Sequence, residues 1–311
     1  MFSALTQPNY PNAALGIEEG RITAVSLQGQ GRGNFSIKQA ATVDLPTGLL
    51  TPNFLERNIT NSAEFLYCLR ETIESAGLLK QKRWSVALPS NTARTAILVL
   101  DSEPASSKEA DEILDWKAEQ NFGAPAAALR LAKQKISPDE KGRSRYFATA
   151  VSLPVIDEYE SQFESLGWKA GLILPRAVGE ANWLVDKTDK ADSLLVSSNT
   201  DGFTGLLLRG DEPAVVRSVT CTPDEIDDEI YRLLMFYNDR FGGEHGNSLL
   251  RRLLVIGKDF VPSKIQTIAS EALGRALNVL SPEDVGLSLP GRSLSFDDLA
   301  APAGLAALGF K

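Results

Sequence analysis

Phosphate binding, metal binding and acid–base work each need particular side chains at particular spacings, and a few stretches of this sequence come near one of them. Tight turns rich in Gly, Ser and Thr offer donors and a close backbone approach to a phosphate, with a nearby carboxylate to orient a metal-bound water. None of the turns Glu18-Glu19-Gly20-Arg21, Ser197-Ser198-Asn199-Thr200-Asp201-Gly202 and Ile256-Gly257-Lys258-Asp259 meets that requirement in full. Asp224, Glu225, Asp227, Asp228 and Glu229 resemble a carboxylate cluster for metal or acid–base chemistry. Their spacing puts most of them on the solvated side of a helix, where acids in the first turn also suit the helix dipole. Ser90 and Ser152 sit beside strand ends, but neither lies in a Gly-x-Ser-x-Gly elbow. The sequence has 1 histidine, His245, in a Gly-flanked loop, which excludes a multi-histidine metal site or a relay needing two imidazoles. Gly29-Gln30-Gly31-Arg32-Gly33 has the look of a dinucleotide fingerprint. It falls between antiparallel strands, not between a strand and a helix, and so reads as a hairpin loop.

The elements that must hold these turns follow from periodicity and caps. Ala13–Ile17 is a short buried strand, Ile22–Leu27 alternates across a turn at Glu19-Gly20, and Phe35–Val43 is a third strand. Asn61 with Glu64 caps a helix whose stripe is Phe65, Leu69, Ile73 and Ala76, and Gly77 stops it. Trp84–Leu88 is the next strand. Ala93–Leu100 is strand-like, Ser106 and Glu109 open a helix that runs out before Gly123, and Tyr146–Val151 is a strand. A helix with Pro154 in its first turn follows, with the stripe Val155, Ile156, Tyr159 and Phe163. Leu172–Leu174 reads as a strand, Ala177–Val185 as a helix, and the polar stretch from Asp186 to Asp192 as a linker.

Beyond it the opening order returns. Ser193–Val196, Gly205–Leu208 and Val215–Val219 are strands; Thr222-Pro223-Asp224-Glu225 opens a helix; Leu253–Ile256 is a strand. Pro262–Leu273 and Leu299–Leu308 read as helices and Val279-Leu280 as a strand. Three strands, a helix and a strand thus occur twice, which argues for two related α/β lobes.

Bulk properties fit that picture. Of the 311 residues 43% are hydrophobic and 23% charged, within the range of globular proteins. The formal net charge of −8 argues against binding nucleic acid. No apolar run approaches the ~20 residues of a spanning helix, and the N-terminal stretch lacks the pattern of a signal peptide, so a cytoplasmic protein is expected. Cys68 and Cys221 fall within predicted elements and read as buried free thiols. Trp84, Trp116, Trp168 and Trp183 are scattered and read as core or interface anchors, not a base-stacking platform.

Several segments together resemble the PilM family of type IV pilus assembly proteins, which share the actin-like (ribonuclease H-like) fold with FtsA. They are Ile113-Leu114-Asp115-Trp116-Lys117-Ala118-Glu119-Gln120 leading to Ala124-Pro125, the strand–helix unit from Phe147 to Trp168, Glu229–Tyr237, and the tail Gly304–Gly309. The resemblance runs from Ala13 to Phe310 and rests on order and spacing. It implies a duplicated α/β fold of two lobes with an FtsA/PilM-type inserted subdomain. The implied boundaries are 12–90 and 171–191 for the first lobe, 91–170 for the insertion, 192–297 for the second lobe, and 298–311 for a C-terminal helix returning to the first.

The resemblance also casts the three turns as the nucleotide site. The family pattern opens the first turn with Asp, an apolar residue, Gly, then Ser or Thr; here Glu18 and Glu19 precede Gly20 and Arg21 follows. A second carboxylate at about 4 Å from a phosphate charge costs about 4 kcal/mol at an effective dielectric of about 20, and Arg21 offsets part of it. The second turn keeps hydroxyls at Ser197, Ser198 and Thr200 but lacks the leading Asp, and the adenosine loop survives only around Gly257. The implied protein is non-catalytic, without a bound cofactor or metal, Mg-ATP being disfavoured. Its implied partners are the cytoplasmic N-terminal tail of a PilN-like bitopic inner-membrane protein and other pilus platform proteins, with self-association left open. That places it at the cytoplasmic face of the inner membrane. Recognition of such a tail combines strand or groove contacts with apolar pockets, and Ile97, Leu98, Val99, Trp116 and Tyr146 are the candidate groove residues, though an ordinary core position is the simpler account of each. Two alternatives stand beside this reading: an active actin-fold ATPase or kinase, and the cytoplasmic region of a GspL-like secretion protein, which the end at Lys311, before any spanning helix, disfavours.

Overall fold

The computed structural model describes residues 10–31, 33–185, 191–241, 250–291 and 294–310. The chain divides into two compact units. The first holds 1–92, 154–182 and 282–311; the second holds 93–153 and 183–281. His245, and residues 186–190 of the expected linker, lie outside the described residues.

In the first unit β1 (Ala13–Glu18), β2 (Arg21–Gly31) and β3 (Asn34–Asp44) form an antiparallel meander. Helix α1 (Ser62–Ser75) then crosses over, and β4 (Arg83–Leu88) pairs parallel to β1. Asn61 Oδ1 accepts from Glu64 N at 3.3 Å, so the helix begins where its cap sequence places it. The stripe Phe65, Leu69 and Ile73 is fully buried. In the second unit the same path recurs. β9 (Asp192–Asn199), β10 (Gly202–Arg209) and β11 (Glu212–Thr220) are antiparallel, α5 (Ile226–Phe241) crosses over, and β12 (Leu250–Ile256) pairs parallel to β9. The sheet orders, β3-β2-β1-β4-β8 and β11-β10-β9-β12, are two copies of one topology, with β8 (Lys169–Pro175) extending the first. This is the duplicated actin-like α/β fold. Ile230, Leu233, Leu234 and Tyr237 of α5 pack with Leu194, Val196 and Phe203, and with Ile265 and Ala269 of α6 (Pro262–Leu273), to form the core of the second lobe.

A separate three-stranded sheet, β5-β7-β6, belongs to the second unit: β5 (Arg94–Val99), β6 (Leu129–Ile136) and β7 (Arg145–Ser152), all antiparallel, with α2 (Ser107–Phe122) against it. Strand β6 was not anticipated. It is an edge strand bearing Arg130, Lys133 and Lys135, and such charge is how exposed edges are protected from stray pairing. Lys133 bridges to Asp111 at 3.1 Å and Asp115 at 3.0 Å on α2.

The expected boundaries shift in three places. Helix α3 (Leu153–Ser165), assigned to the insertion, belongs to the first unit, where Tyr159 meets Phe65 with ring centroids 6.3 Å apart. The second lobe ends before 297, because the two-residue strand β13 (Leu287–Ser288) pairs parallel with β3, and Phe35 N donates to Gly286 O at 2.8 Å. Residues 177–185 divide between a short helix α4 (Arg176–Ala181) and a 3₁₀ turn, Asn182–Leu184. Val279-Leu280 is no strand of its own; Val279 makes an isolated bridge to Leu253.

The closing helix α7 (Phe296–Ala307) packs on β1, β2, β4 and α4, and every residue from Asp298 to Ala307 is buried. Its small residues allow that approach. A Cβ on Gly179 of α4 would lie 2.7 Å from Ala301 O, and one on Gly16 of β1 would lie 3.0 Å from Pro302 Cδ. A larger residue at either place forces the helix off the sheet. Among the described residues, no helix is long and apolar enough to cross a membrane.

Candidate functional site

Each lobe presents one hairpin turn of the kind that carries phosphate in this fold. In the first unit, Glu18 and Arg21 form the last cross-strand pair of the β1–β2 ladder, with Glu19-Gly20 as the two turn residues. The charged groups of this turn are tied to their own lobe. Arg176, at the start of α4, reaches Glu18 Oε2 at 2.9 Å and Glu180 Oε1 at 2.5 Å, and donates to Asp297 O at 3.0 Å. Arg21 Nη1 lies 3.1 and 3.2 Å from the two carboxylate oxygens of Asp298 on α7. Burial pushes the Glu18 carboxyl above the ordinary 4.5; the Arg176 guanidinium opposes that shift, while Asp298 and Glu180 reinforce it. Burial alone would lower the Arg176 pKa, but Glu180 and Glu18 turn the net shift upward. A phosphate entering here meets acidic side chains whose cationic partners are already engaged.

The second turn has a different character. Ser197 Oγ is wholly buried and has no hydrogen-bond partner among the described residues. Ser198 Oγ contacts Asp259 Oδ2 at 3.2 Å, and Asn199 Nδ2 donates to Thr204 Oγ1 at 3.1 Å. The glycine loop after β12 comes directly against this turn: Gly257 has φ +146, and a Cβ there would lie 2.3 Å from Ser198 Cβ. Ser198, Thr200, Asp227, Asp259 and Lys264 share the lining of a recess of 300 Å³, at the bottom of the range for small-molecule sites. Lys264 is ion-paired with Asp227. The structure thus brings Ser197, Ser198, Thr200 and Gly257 together, with carboxylates outnumbering cations among these lining groups. At the other end of β9 Asp192 is buried and accepts from Tyr237 Oη at 2.9 Å, and burial raises its pKa despite that bond and Arg209.

The acidic run ahead of α5 does structural work. Glu225 Oε2 accepts from both the N and Oγ1 of Thr222 at 2.9 Å, Glu229 pairs with Arg232, and Asp227 with Lys264. Among the described residues no group of three His, Cys, Asp or Glu is placed to hold a metal ion. Cys68 is a buried free thiol, whereas Cys221 lies just beyond the end of β11 and is half-buried.

The five candidate partner residues do not form one patch. Ile97 and Val99 alternate with Leu98 along β5, so they face the opposite side of the sheet. Leu98 is buried and pairs across the ladder with half-buried Tyr146. Trp116 lies away from the buried stripe Leu114, Ala118 and Phe122 of α2 and is 57% exposed; the other three tryptophans are buried.

Sequence reasoning missed Arg176, Glu180 and Asp298. The i,i+4 spacing of Arg176 and Glu180 was available as a signal; nothing local ties either to Glu18. It also missed Asn58, a fully buried polar node in the first unit. Asn58 Nδ2 donates to Asn53 O and Glu56 O at 2.8 and 2.7 Å, and its Oδ1 accepts from Thr92 Oγ1 at 2.7 Å and Tyr159 Oη at 3.2 Å.

The topology defines the class as an actin-like α/β protein, and solved structures agree. A chain of the PilM-PilN type IV pilus biogenesis complex shares the fold with a TM-score of 0.71 over 97% of this chain and 98% of that one, at 16% identity. Two further solved structures match less well. One is a Bacteroides thetaiotaomicron protein of actin-like ATPase fold and unknown function (TM-score 0.48, 9% identity, 96% and 98% coverage). The other is the cytoplasmic domain of EpsL, an inner membrane component of the Vibrio cholerae type II secretion system (TM-score 0.44, 11% identity, 86% and 97% coverage). No family model matches the chain, and no curated protein is significantly similar to it in sequence.

Proposed function

We propose that the chain is a non-catalytic scaffold of type IV pilus or related secretion assembly. It holds the cytoplasmic N-terminal tail of a PilN-like inner-membrane protein and sits at the cytoplasmic face of that membrane. The observation that carries this reading is the end-to-end likeness of fold to a chain of the PilM-PilN complex. The absence of nucleotide chemistry is supported by the first turn, where Arg176 and Arg21 are engaged by Glu18, Glu180 and Asp298. A nucleotide triphosphate must break those pairs or bind beside them.

The test has two arms. Immobilised N-terminal tails of bitopic inner-membrane proteins are expected to retain the full chain in a pull-down. Mg-ATP is expected to leave the melting temperature unchanged at millimolar concentration, whereas binding at a hundredfold excess over Kd would add ~2.7 kcal/mol. ATP turnover together with failure to hold any tail would reverse the proposal.

A further inference from the structure

A groove of 630 Å³ lies inside the second unit, along the place where two sheet edges meet: β5 at the edge of the three-stranded sheet and β11 at the edge of the four-stranded one. Its charge is opposite to that of the whole chain. Among the described residues, Arg94, Arg143, Arg145 and Arg240 line it against one carboxylate, Asp139, in a protein whose formal net charge is −8. These guanidinium groups are held in place by neighbours. Arg145 Nε donates to Ser137 O at 2.8 Å, Arg143 is bridged to Asp139 at 2.7 Å, Arg94 donates to Phe122 O, and Arg240 lies 5.6 Å from the Phe241 ring centroid. Arg143 also lies 3.6 Å from Asp101, so Arg145 and Arg240 are the guanidinium groups that present a pre-organised fork to a carboxylate, with less entropy lost on binding. Between the arginines the lining is apolar, from Ile97, Val99, Ala214 and Val215.

From these features we infer that the β5–β11 groove binds a short, extended acidic segment of a partner protein, in which Asp or Glu alternate with apolar residues. Charge complementarity selects an anionic occupant. The apolar strip between the arginines selects a peptide over bare phosphate, which a glycine-rich cradle serves better; among the described residues this groove has no glycine or lysine in its lining. Nucleic acid requires an extended basic surface, and the net charge of −8 opposes one. The groove is separate from the hairpin turns; Ile97 and Val99, two of the candidate tail residues, line it, so an acidic segment and the membrane-protein tail are told apart by testing each against the arginine variants.

The test uses the full chain and a fluorescent peptide of alternating glutamate and leucine, with binding followed by anisotropy. Saturable binding is expected, weakening as salt rises and absent for the lysine–leucine counterpart. The double reversal Arg145→Glu/Arg240→Glu is expected to weaken it by about a hundredfold, roughly tenfold for each charge-assisted contact. Lys38→Glu/Lys80→Glu, which changes net charge equally at exposed sites in the first unit, is expected to change it by less than about threefold. The milder Arg145→Gln/Arg240→Gln pair, checked for an unchanged melting temperature, decides the matter if the reversals disturb folding. Failure of the acidic peptide to bind overturns the proposal, as does equal binding by the groove variants. So does tighter binding of an oligonucleotide or an anionic vesicle that competes for the same arginines.

Discussion

The two hairpin turns occupy equivalent places in duplicated lobes, yet they have diverged in opposite directions. The first has become ionic: Glu18, Arg21, Arg176, Glu180 and Asp298 neutralise one another within one lobe. The second is built of small side chains, Ser197, Ser198 and Asn199, packed against a glycine loop, with Asp201 at its tip and Asp259 beside Ser198. The charged side chains of the first turn are engaged with one another, whereas the second turn is shaped by packing against Gly257. The contrast predicts that the first turn is sensitive to charge and tolerant of added volume, and the second the reverse.

The largest effect is expected at Arg176. Replacing it by Ala strands the buried Glu180 carboxylate and leaves Glu18 without its partner, which costs about 3–5 kcal/mol. The loss is read as a lowered urea midpoint at unchanged slope. The double change Arg176→Met/Glu180→Met is expected to recover most of it, because an apolar pair removes both charges together. A small loss for the single change would show that the first turn is not held by charge. Next comes Gly257→Ala, for which the contact with Ser198 and φ +146 both weigh against a side chain. A destabilisation of about 2–3 kcal/mol is expected in the same assay.

Ser197→Ala tests the second turn in the other direction. Its hydroxyl is buried without a partner, so removal should stabilise by about 1 kcal/mol and leave the fold intact. Destabilisation would show that the hydroxyl has a partner in solution. Each lobe also holds one carboxylate raised by burial, Glu18 and Asp192. A raised carboxyl binds its proton more tightly in the folded state. Its contribution is therefore fully present below the ordinary value, 4.5 for Glu18, and is lost as pH rises through the folded value. Denaturation between pH 4 and 7 is expected to show that decline, less steeply in Glu18→Gln or Asp192→Asn, with each substitution reporting on its own lobe. A slope unchanged by both would remove the burial argument.

The sequence made the scaffold of this comparison visible and hid what fills it. Helix starts were legible because caps are local: Asn61 with Glu64, Ser106 with Glu109, and Pro262 at the head of a helix that spans Pro262–Leu273 as expected. Strand β6 was hidden because its charged residues, which protect a sheet edge, mask the apolar alternation. The helix after Pro154 was placed on the wrong unit, because its stripe says that it is buried and not against what. The partners of Glu18 were out of reach: Arg176 and Asp298 come from distant segments that only the folded chain unites with the first hairpin. Asn58 was hidden likewise, since a buried asparagine and a loop asparagine look alike until Thr92 and Tyr159 arrive.

The smallest expected effect gives the sharpest view of the contrast. Gly20 is the one residue of the first turn that keeps the family's pattern, and its retention suggests a conformational need. The structure shows none: a Cβ there meets no atom within 4 Å, and its backbone is not left-handed. Alanine restricts the unfolded chain more than glycine does, so Gly20→Ala should stabilise by about 0.5 kcal/mol. The same substitution at Gly257 is strongly unfavourable, so the pair of variants separates a glycine that packing requires from one that packing does not. Destabilisation by Gly20→Ala, measured beside Gly257→Ala, would mean that the first turn retains a close-approach role. The ion pairs would then accompany that role and not replace it.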